Sequence, residues 1–292
     1  MTTRAMRPGS GLQWFKNGLN LGHRNAKKVF AGAAVLLVAG LVPSLVALPI
    51  QMAAPQSGVV IALTYVLIML LAFALAPMYG GYLVLINAAE SGQSPRVGDV
   101  FAAYRSRTGA RIVGFALAVT ALYIVSFVAL AYLVAPDLPA LYVKLLSSDP
   151  QQLQTTMQSL PEGLGRFIGL GMCLGLFLGG VYALGLGQVS LGEHGVGRAL
   201  RDGVTGTAKN LLPLLVLLVV AIAALIACTL VFMVVAFVAG LLASMIGAWA
   251  MALVLLPMYL AAMLAMYVVG FGTVYHMWKS VCGEASGESL AV

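Results

Sequence analysis

Charge is what this chain has least of. Asp, Glu, Lys and Arg together make up 9% of its 292 residues, and nine of them in all are acidic. A water-soluble domain carries about 25% charged residues, so this chain has too little polar surface to face water. Histidine and cysteine are scarcer still, with three of each. Cys173 and Cys228 fall inside apolar runs and Cys282 lies near the C-terminal end. None pairs at metal-ligand spacing, and none sits where a disulfide would persist. His23, His194 and His276 have no second ligand at useful spacing, so a metal site is not expected. A nucleophile elbow, a phosphate loop, paired catalytic carboxylates and a Cys/His arrangement are all missing. Neither a catalytic residue nor a cofactor is expected.

What fills the chain instead is apolar. Hydrophobic residues make up 61% of it, and its mean hydropathy is +1.00. Stretches such as Val29–Ile50 and Leu211–Gly240 hold no charged side chain, and about 20 apolar residues suffice to cross the hydrocarbon core. Six such runs are expected to be transmembrane helices: Val29–Ile50, Val59–Asn87, Ile112–Val134, Phe167–Leu191, Leu211–Gly240 and Met245–Trp278. The fold class is therefore all-α and polytopic. Pro77 and Pro257 stand inside the two runs that look too long for one straight crossing, and each predicts a kink. The polar residues in or near the runs are Thr64, Thr120, Ser126, Gln188, Ser190, Thr229, Ser244 and Thr273. Hydroxyls can bond back to their own helix, and no charge lies deep in a span. That argues against a carboxylate-coupled transporter and leaves passive channels and lipid pathways open.

Basic residues fix the expected orientation. Arg4, Arg7, Lys16, Arg24, Lys27 and Lys28 precede the first run, and Arg96, Arg105, Arg107 and Arg111 join the second to the third. Arg198, Arg201 and Lys209 join the fourth to the fifth, and Lys279 ends the sixth; the opposite side has only Lys144 and Arg166. The positive-inside bias predicts that both termini are cytoplasmic. The net charge of +7 and pI near 9.5 follow from the same bias and from attraction to anionic headgroups. No soluble stretch shows basic residues interleaved with aromatics, so nucleic acid is not an expected partner. The polar arm before the first run is long, which predicts that no signal peptide is cleaved. Residues 1–28 then form a cytoplasmic arm, 29–280 the membrane domain and 281–292 a tail.

The chain also resembles itself. At an offset of 103 residues Tyr79 falls on Tyr182, Glu90 on Glu193, Gly92 on Gly195 and Asp99 on Asp202. At an offset of 180, Pro77-Met78-Tyr79 falls on Pro257-Met258-Tyr259. A short amphipathic stretch precedes each hairpin: Leu12–Leu21, Val97–Tyr104 and Val196–Val204. Val97, Val100, Phe101 and Tyr104 recur at the spacing of one apolar helical stripe. Three parallel repeats are expected, each an interfacial helix followed by a transmembrane hairpin. The middle unit alone has a long external loop, residues 135–166, with Asp137, Pro139, Pro150, Pro161 and the polar run Gln151–Gln158. Residues around Leu138–Leu146 are expected to form a short outer helix; the loop is either a partner site or a connector.

Few residues stand out beyond this plan. Gly171, Gly175 and Gly179 recur every four residues, a pattern that lets a neighbouring backbone approach, for bundle packing, homo-oligomerisation or a lipid groove. Glu90, Glu193, Asp99 and Asp202 read either as an acidic ring at the cytoplasmic mouth or as local helix-end and arginine partners. Trp14, Trp278, Tyr79, Tyr82, Tyr259 and Tyr275 fit interfacial anchoring, with Tyr182 the repeat mate of Tyr79. Phe101 belongs to the second interfacial stripe.

Gly11-Leu12-Gln13-Trp14-Phe15-Lys16-Asn17-Gly18, then Pro77-Met78-Tyr79-Gly80-Gly81, then Glu90-Ser91-Gly92 leading to Asp99-Val100-Phe101, carry a resemblance. They resemble a family of uncharacterised proteobacterial six-span integral membrane proteins. More distantly, the layout is similar to the membrane domain of some glycerophosphodiester phosphodiesterases. The likeness covers roughly the first 110 residues by motif and the rest by hydropathy. It implies a cell-envelope location and supplies no reaction, since this chain has no attached hydrolase domain. Residue pattern and resemblance together lead to an expected non-catalytic inner-membrane scaffold or accessory subunit. It would present interfacial helices and the external loop to a protein partner, amid membrane lipids. The alternative is a carrier or passive conduit for a lipid or amphiphile, through a cleft beside the glycine-rich fourth span. A membrane-embedded enzyme is the weakest reading.

Overall fold

The backbone follows the hydropathy. In hydrocarbon no water satisfies peptide groups, so a spanning segment bonds internally as a helix or closes into a barrel. A computed structural model of the chain describes residues 3–21, 26–53, 57–141, 162–247 and 249–283, and among these there are helices and no strand. In chain order they are α1 (Ser10–Asn20), α2 (Ala26–Ala53), α3 (Gly58–Glu90), a 3-10 segment (Val97–Arg105) and α4 (Arg107–Val134). Then come α5 (Leu164–Ser190), α6 (Val196–Lys209), α7 (Leu211–Ile246) and α8 (Trp249–Val281). Six of them, α2, α3, α4, α5, α7 and α8, are long and apolar enough to cross a membrane. The chain is a multi-pass α-helical membrane protein.

Helix ends sit where the local chemistry puts them. Ser57 Oγ accepts from Val60 N at the start of α3, and Ser106 Oγ accepts from Thr108 N at the start of α4. Gly92 follows α3 with φ +74°, a left-handed stop that glycine adopts without strain. Prolines do not end the long helices: α3 continues through Pro77 and α8 through Pro257. Thr64, Thr229 and Thr273 donate to the carbonyl four residues back, as expected of hydroxyls in hydrocarbon.

The termini meet. Arg4 N donates to the Val281 carbonyl over 2.9 Å, so the chain enters and leaves at one end of the bundle, called the base here. The core lies toward this base. Tyr82, Leu85 and Ile86 of α3, Ile112 and Phe115 of α4, Leu184 and Leu186 of α5, and Tyr275 of α8 are fully buried. The far halves of α3, α7 and α8 are exposed, with Leu63, Leu70, Val231, Val234, Leu253 and Leu256 all open. In a bilayer, that surface faces acyl chains.

Each short element lies against the second helix of a pair: the 3-10 segment on α3, α6 on α5 and α1 on α8. Glycines make these approaches possible. A β-carbon at Gly81 would overlap the Val100 carbonyl, and one at Gly203 would fall 2.7 Å from the Val181 carbonyl oxygen. One at Gly18 would fall 2.7 Å from the Val269 oxygen, where α1 meets Gly272 of α8.

The structure corrects three expectations. Val97–Arg105 is a 3-10 helix, not a stretch with α-helical spacing. Its period of three and longer rise align Val97, Val100 and Ala103 toward α3, leaving Phe101 42% and Tyr104 48% exposed. Gly171, Gly175 and Gly179 admit no backbone; their open faces meet the rings of Phe127 and Tyr123 on α4 at 3.4–3.9 Å from an added β-carbon. Trp14, Tyr82 and Tyr275 are not interfacial anchors but core residues, at 3%, 0% and 0% exposure. Of the long loop 135–166, residues 142–161 lie outside the described residues, with Pro150, Pro161 and Gln151–Gln158 among them. Residues 138–141 form one helical turn.

A contrast between two glycines tests the packing. Gly81→Ala should destabilise the protein by about 1–3 kcal/mol, the usual cost of overfilling a tight contact. Gly175→Ala, in ordinary contact with Phe127, should leave the midpoint unchanged or slightly raised. Thermal unfolding in detergent, followed by tryptophan fluorescence, measures both, and equal midpoints would refute the assignment.

Candidate functional site

At the base, side chains from four elements form a connected polar chain. Tyr275 of α8 donates to Asn87 Oδ1 of α3 over 2.9 Å, and His276 Nε2 stands 3.9 Å from Glu90 Oε2. One turn on, Trp278 Nε1 donates to Gln188 Oε1 of α5 over 3.1 Å. Gln188 Nε2 then donates to Asp202 Oδ2 of α6 over 2.6 Å. The Tyr275 and Trp278 rings lie 6.3 Å apart, and a β-carbon on Gly187 would collide with the Trp278 ring. A second knot surrounds Asn210, which accepts from Met6 N and donates to the Arg4 and Gly206 carbonyls over 2.8–2.9 Å. Trp14 Nε1 donates to Ser280 Oγ over 2.8 Å, fixing α1 to α8.

Three of the four carboxylates have separate partners. Asp99 accepts from Arg96 N over 2.8 Å and caps the 3-10 segment, Asp202 holds Gln188, and Glu90 faces His276. Glu193 is exposed at a turn with φ +53°, and its backbone carbonyl, not its carboxylate, accepts from Arg111 Nη1 over 2.9 Å. Helix-end capping accounts for Asp99 alone, and among the described residues none of the four carboxylates pairs with an arginine. Among the described residues, no three His, Cys, Asp or Glu side chains are grouped to hold a metal ion.

Farther from the base, α5 and α8 part to leave an apolar groove of about 370 Å³. Tyr182 and Leu186 line one side, and Met263, Met266, Tyr267, Gly270, Phe271 and Val274 the other. The Phe271 ring stacks on Tyr79 at 5.8 Å and on Tyr267 at 6.2 Å, and meets the Tyr82 ring edge-on at 5.2 Å. Phe115 of α4 stacks on Tyr182 at 6.2 Å. Tyr82 and Tyr275 spend their hydroxyls on Val29 O and Asn87 Oδ1, whereas those of Tyr79, Tyr182 and Tyr267 bond to no acceptor among the described residues.

Sequence reasoning named four of these five tyrosines, all but Tyr267. Tyr79 and Tyr182 come together, but Tyr259 stays apart, 51% exposed on the far part of α8. Tyr267 and Phe271, which sequence reasoning did not name, line the groove instead. Their i, i+4 spacing around Gly270 was the available signal, obscured by the uniformly apolar run.

Comparison with family models, with curated proteins and with solved structures finds no match. The site must be read from its own geometry.

Cys282, just beyond α8, offers a direct check on the base. Burial pushes its thiol up to about 12, Asp202 adds to the rise and Arg4 opposes it. A thiol held above its ordinary 9.0 favours the folded state fully below pH 9, and that contribution falls as pH rises from there toward 12. In a variant with Cys173→Ser and Cys228→Ser, iodoacetamide at pH 8 should modify Cys282 slowly in mild detergent and rapidly in SDS. Equal rates would show the base to be open.

Proposed function

We propose that this chain is a non-catalytic protein of the bacterial inner membrane that holds a membrane amphiphile, with an acyl chain in the groove between α5 and α8. The observation that carries this reading is the groove itself, an apolar cleft beside the fourth span walled by the side chains of Tyr182, Tyr267 and Phe271. Methionine adapts its shape to an irregular chain, and Met263 and Met266 supply that wall. No carboxylate lines the groove to couple occupancy to protons. In this reading the base faces the cytoplasm with both termini, following the positive-inside bias. The order of short element and long helix pair, occurring three times, supports descent from three repeats.

A scaffold role is the second reading, favoured by one observation. Phe101 and Leu19 are exposed on the short elements at the base, outside the six spans. A defined protein that co-purifies with the chain and is lost on Phe101→Asp would support it.

Gly270→Phe tests the groove. A β-carbon at Gly270 meets nothing within 4 Å, so the ring fills the groove without disturbing the backbone. Wild-type protein should retain phospholipid through delipidation, measured by native mass spectrometry. The variant should retain on the order of tenfold less, the ratio that about 1.4 kcal/mol of lost contact gives. Equal retention with an unchanged unfolding midpoint would refute the reading.

A further inference from the structure

The amphipathic helix α6 has a face that the groove does not use. Ala199, Gly203, Gly206 and Thr207 bury its inner side, while Arg198, Arg201, Thr205 and Lys209 line the outer side. With Thr3 of the N-terminal arm they border a depression of about 700 Å³. Three cations meet there, and among the described residues no carboxylate comes within 4 Å of any of them. The one acid in the depression, Asp202, is bound to Gln188 over 2.6 Å. Lys209 is held in place by Thr3, donating to its carbonyl over 2.9 Å and its hydroxyl over 3.2 Å.

The depth of α6 says what could meet this face. It joins the base end of α5 at Ser190 to the start of α7 at Leu211, both of them spanning helices. A short helix between two crossings, with an apolar inner side and a basic outer side, lies in the headgroup layer. Guanidinium groups three residues apart on one helix face can share the oxygens of a single phosphate. Basic pockets at that depth attract anionic lipid headgroups.

We propose that the Arg198–Arg201–Lys209 face of α6 binds the headgroup of an anionic phospholipid, with its phosphate between Arg198 and Arg201. The site is separate from the groove between α5 and α8 and does not depend on it. Gly270→Phe therefore leaves it intact.

The experiment titrates detergent-solubilised protein with phosphatidylglycerol, with phosphatidylcholine and with inorganic phosphate, and reads the unfolding midpoint. Phosphatidylglycerol should raise the midpoint and the other two should not. Arg198→Gln together with Arg201→Gln should weaken the response on the order of tenfold to a hundredfold, as expected for loss of two charge-assisted contacts. Both side chains are exposed, so the unliganded midpoint should hold. A wild-type measurement needs no variant: the phosphatidylglycerol shift should shrink between about 50 mM and about 500 mM salt as screening grows. The proposal is overturned if the double variant responds like wild type, if phosphatidylcholine matches phosphatidylglycerol, or if salt has no effect. It is equally overturned if inorganic phosphate alone reproduces the shift, which would assign the face to a soluble anion.

Discussion

Lipid solvates a leucine as well as another leucine does, so apolar helices gain little by clustering through apolar area alone. What holds these six in one arrangement is close approach at glycine, reinforced by polar side chains that find partners only in that arrangement. Gly81 against Val100, Gly203 against Val181 and Gly18 against Gly272 bring three short elements onto three long helices. The hydrogen bonds of Asn210, Gln188, Trp278 and Tyr275 then fix the register, because each would be lost by a shift of one turn. All of these contacts lie toward one end. The arrangement is decided at the base, and the rest of each helix extends from it.

That asymmetry has a consequence for the far half. Helices held at one end and surrounded by lipid at the other keep few protein neighbours to constrain them, which is where local rearrangement costs least. The groove between α5 and α8 sits at the boundary between the two regimes. Its base-side wall, Leu186, Phe271 and Val274, belongs to or packs on the ordered core, while Met263 and Met266 lie on the open stretch of α8. A site so placed has a firm floor and an adaptable rim. Those are the properties needed to hold chains of variable length and unsaturation.

Much of the fold was legible because hydropathy and lipid leave little choice. The six spans, the even number of crossings and the three short elements all follow from where charge is absent and where it gathers. The contacts between helices were not legible, and the glycines show why. Gly171, Gly175 and Gly179 have the regular spacing, yet their faces meet aromatic side chains; the close approaches fall at Gly11, Gly18, Gly81 and Gly203, which share no spacing. Spacing reports which residues share a helix face and says nothing about what stands opposite. Trp14 and Tyr275 misled for the same reason, since an aromatic with a polar tip suits the interface and suits a buried hydrogen bond equally well. The carboxylates were separable in advance only for Asp99, whose position in the first turn of a helix announced a capping role.

The same base decides whether the groove can conduct or only hold. A conduit needs a continuous path from the far half to the base. One turn beyond Val274 and Leu186 stand Tyr275, Trp278 and Gln188, bonded to Asn87 and Asp202 and packed against Gly187. Passage would require breaking that chain and leaving several buried polar groups without partners, each at about 1–3 kcal/mol. Entry from the side meets no such barrier, because Met266 and Gly270 are open to the bilayer. Under the proposed reading, an occupant would therefore slip in laterally and leave the same way rather than cross.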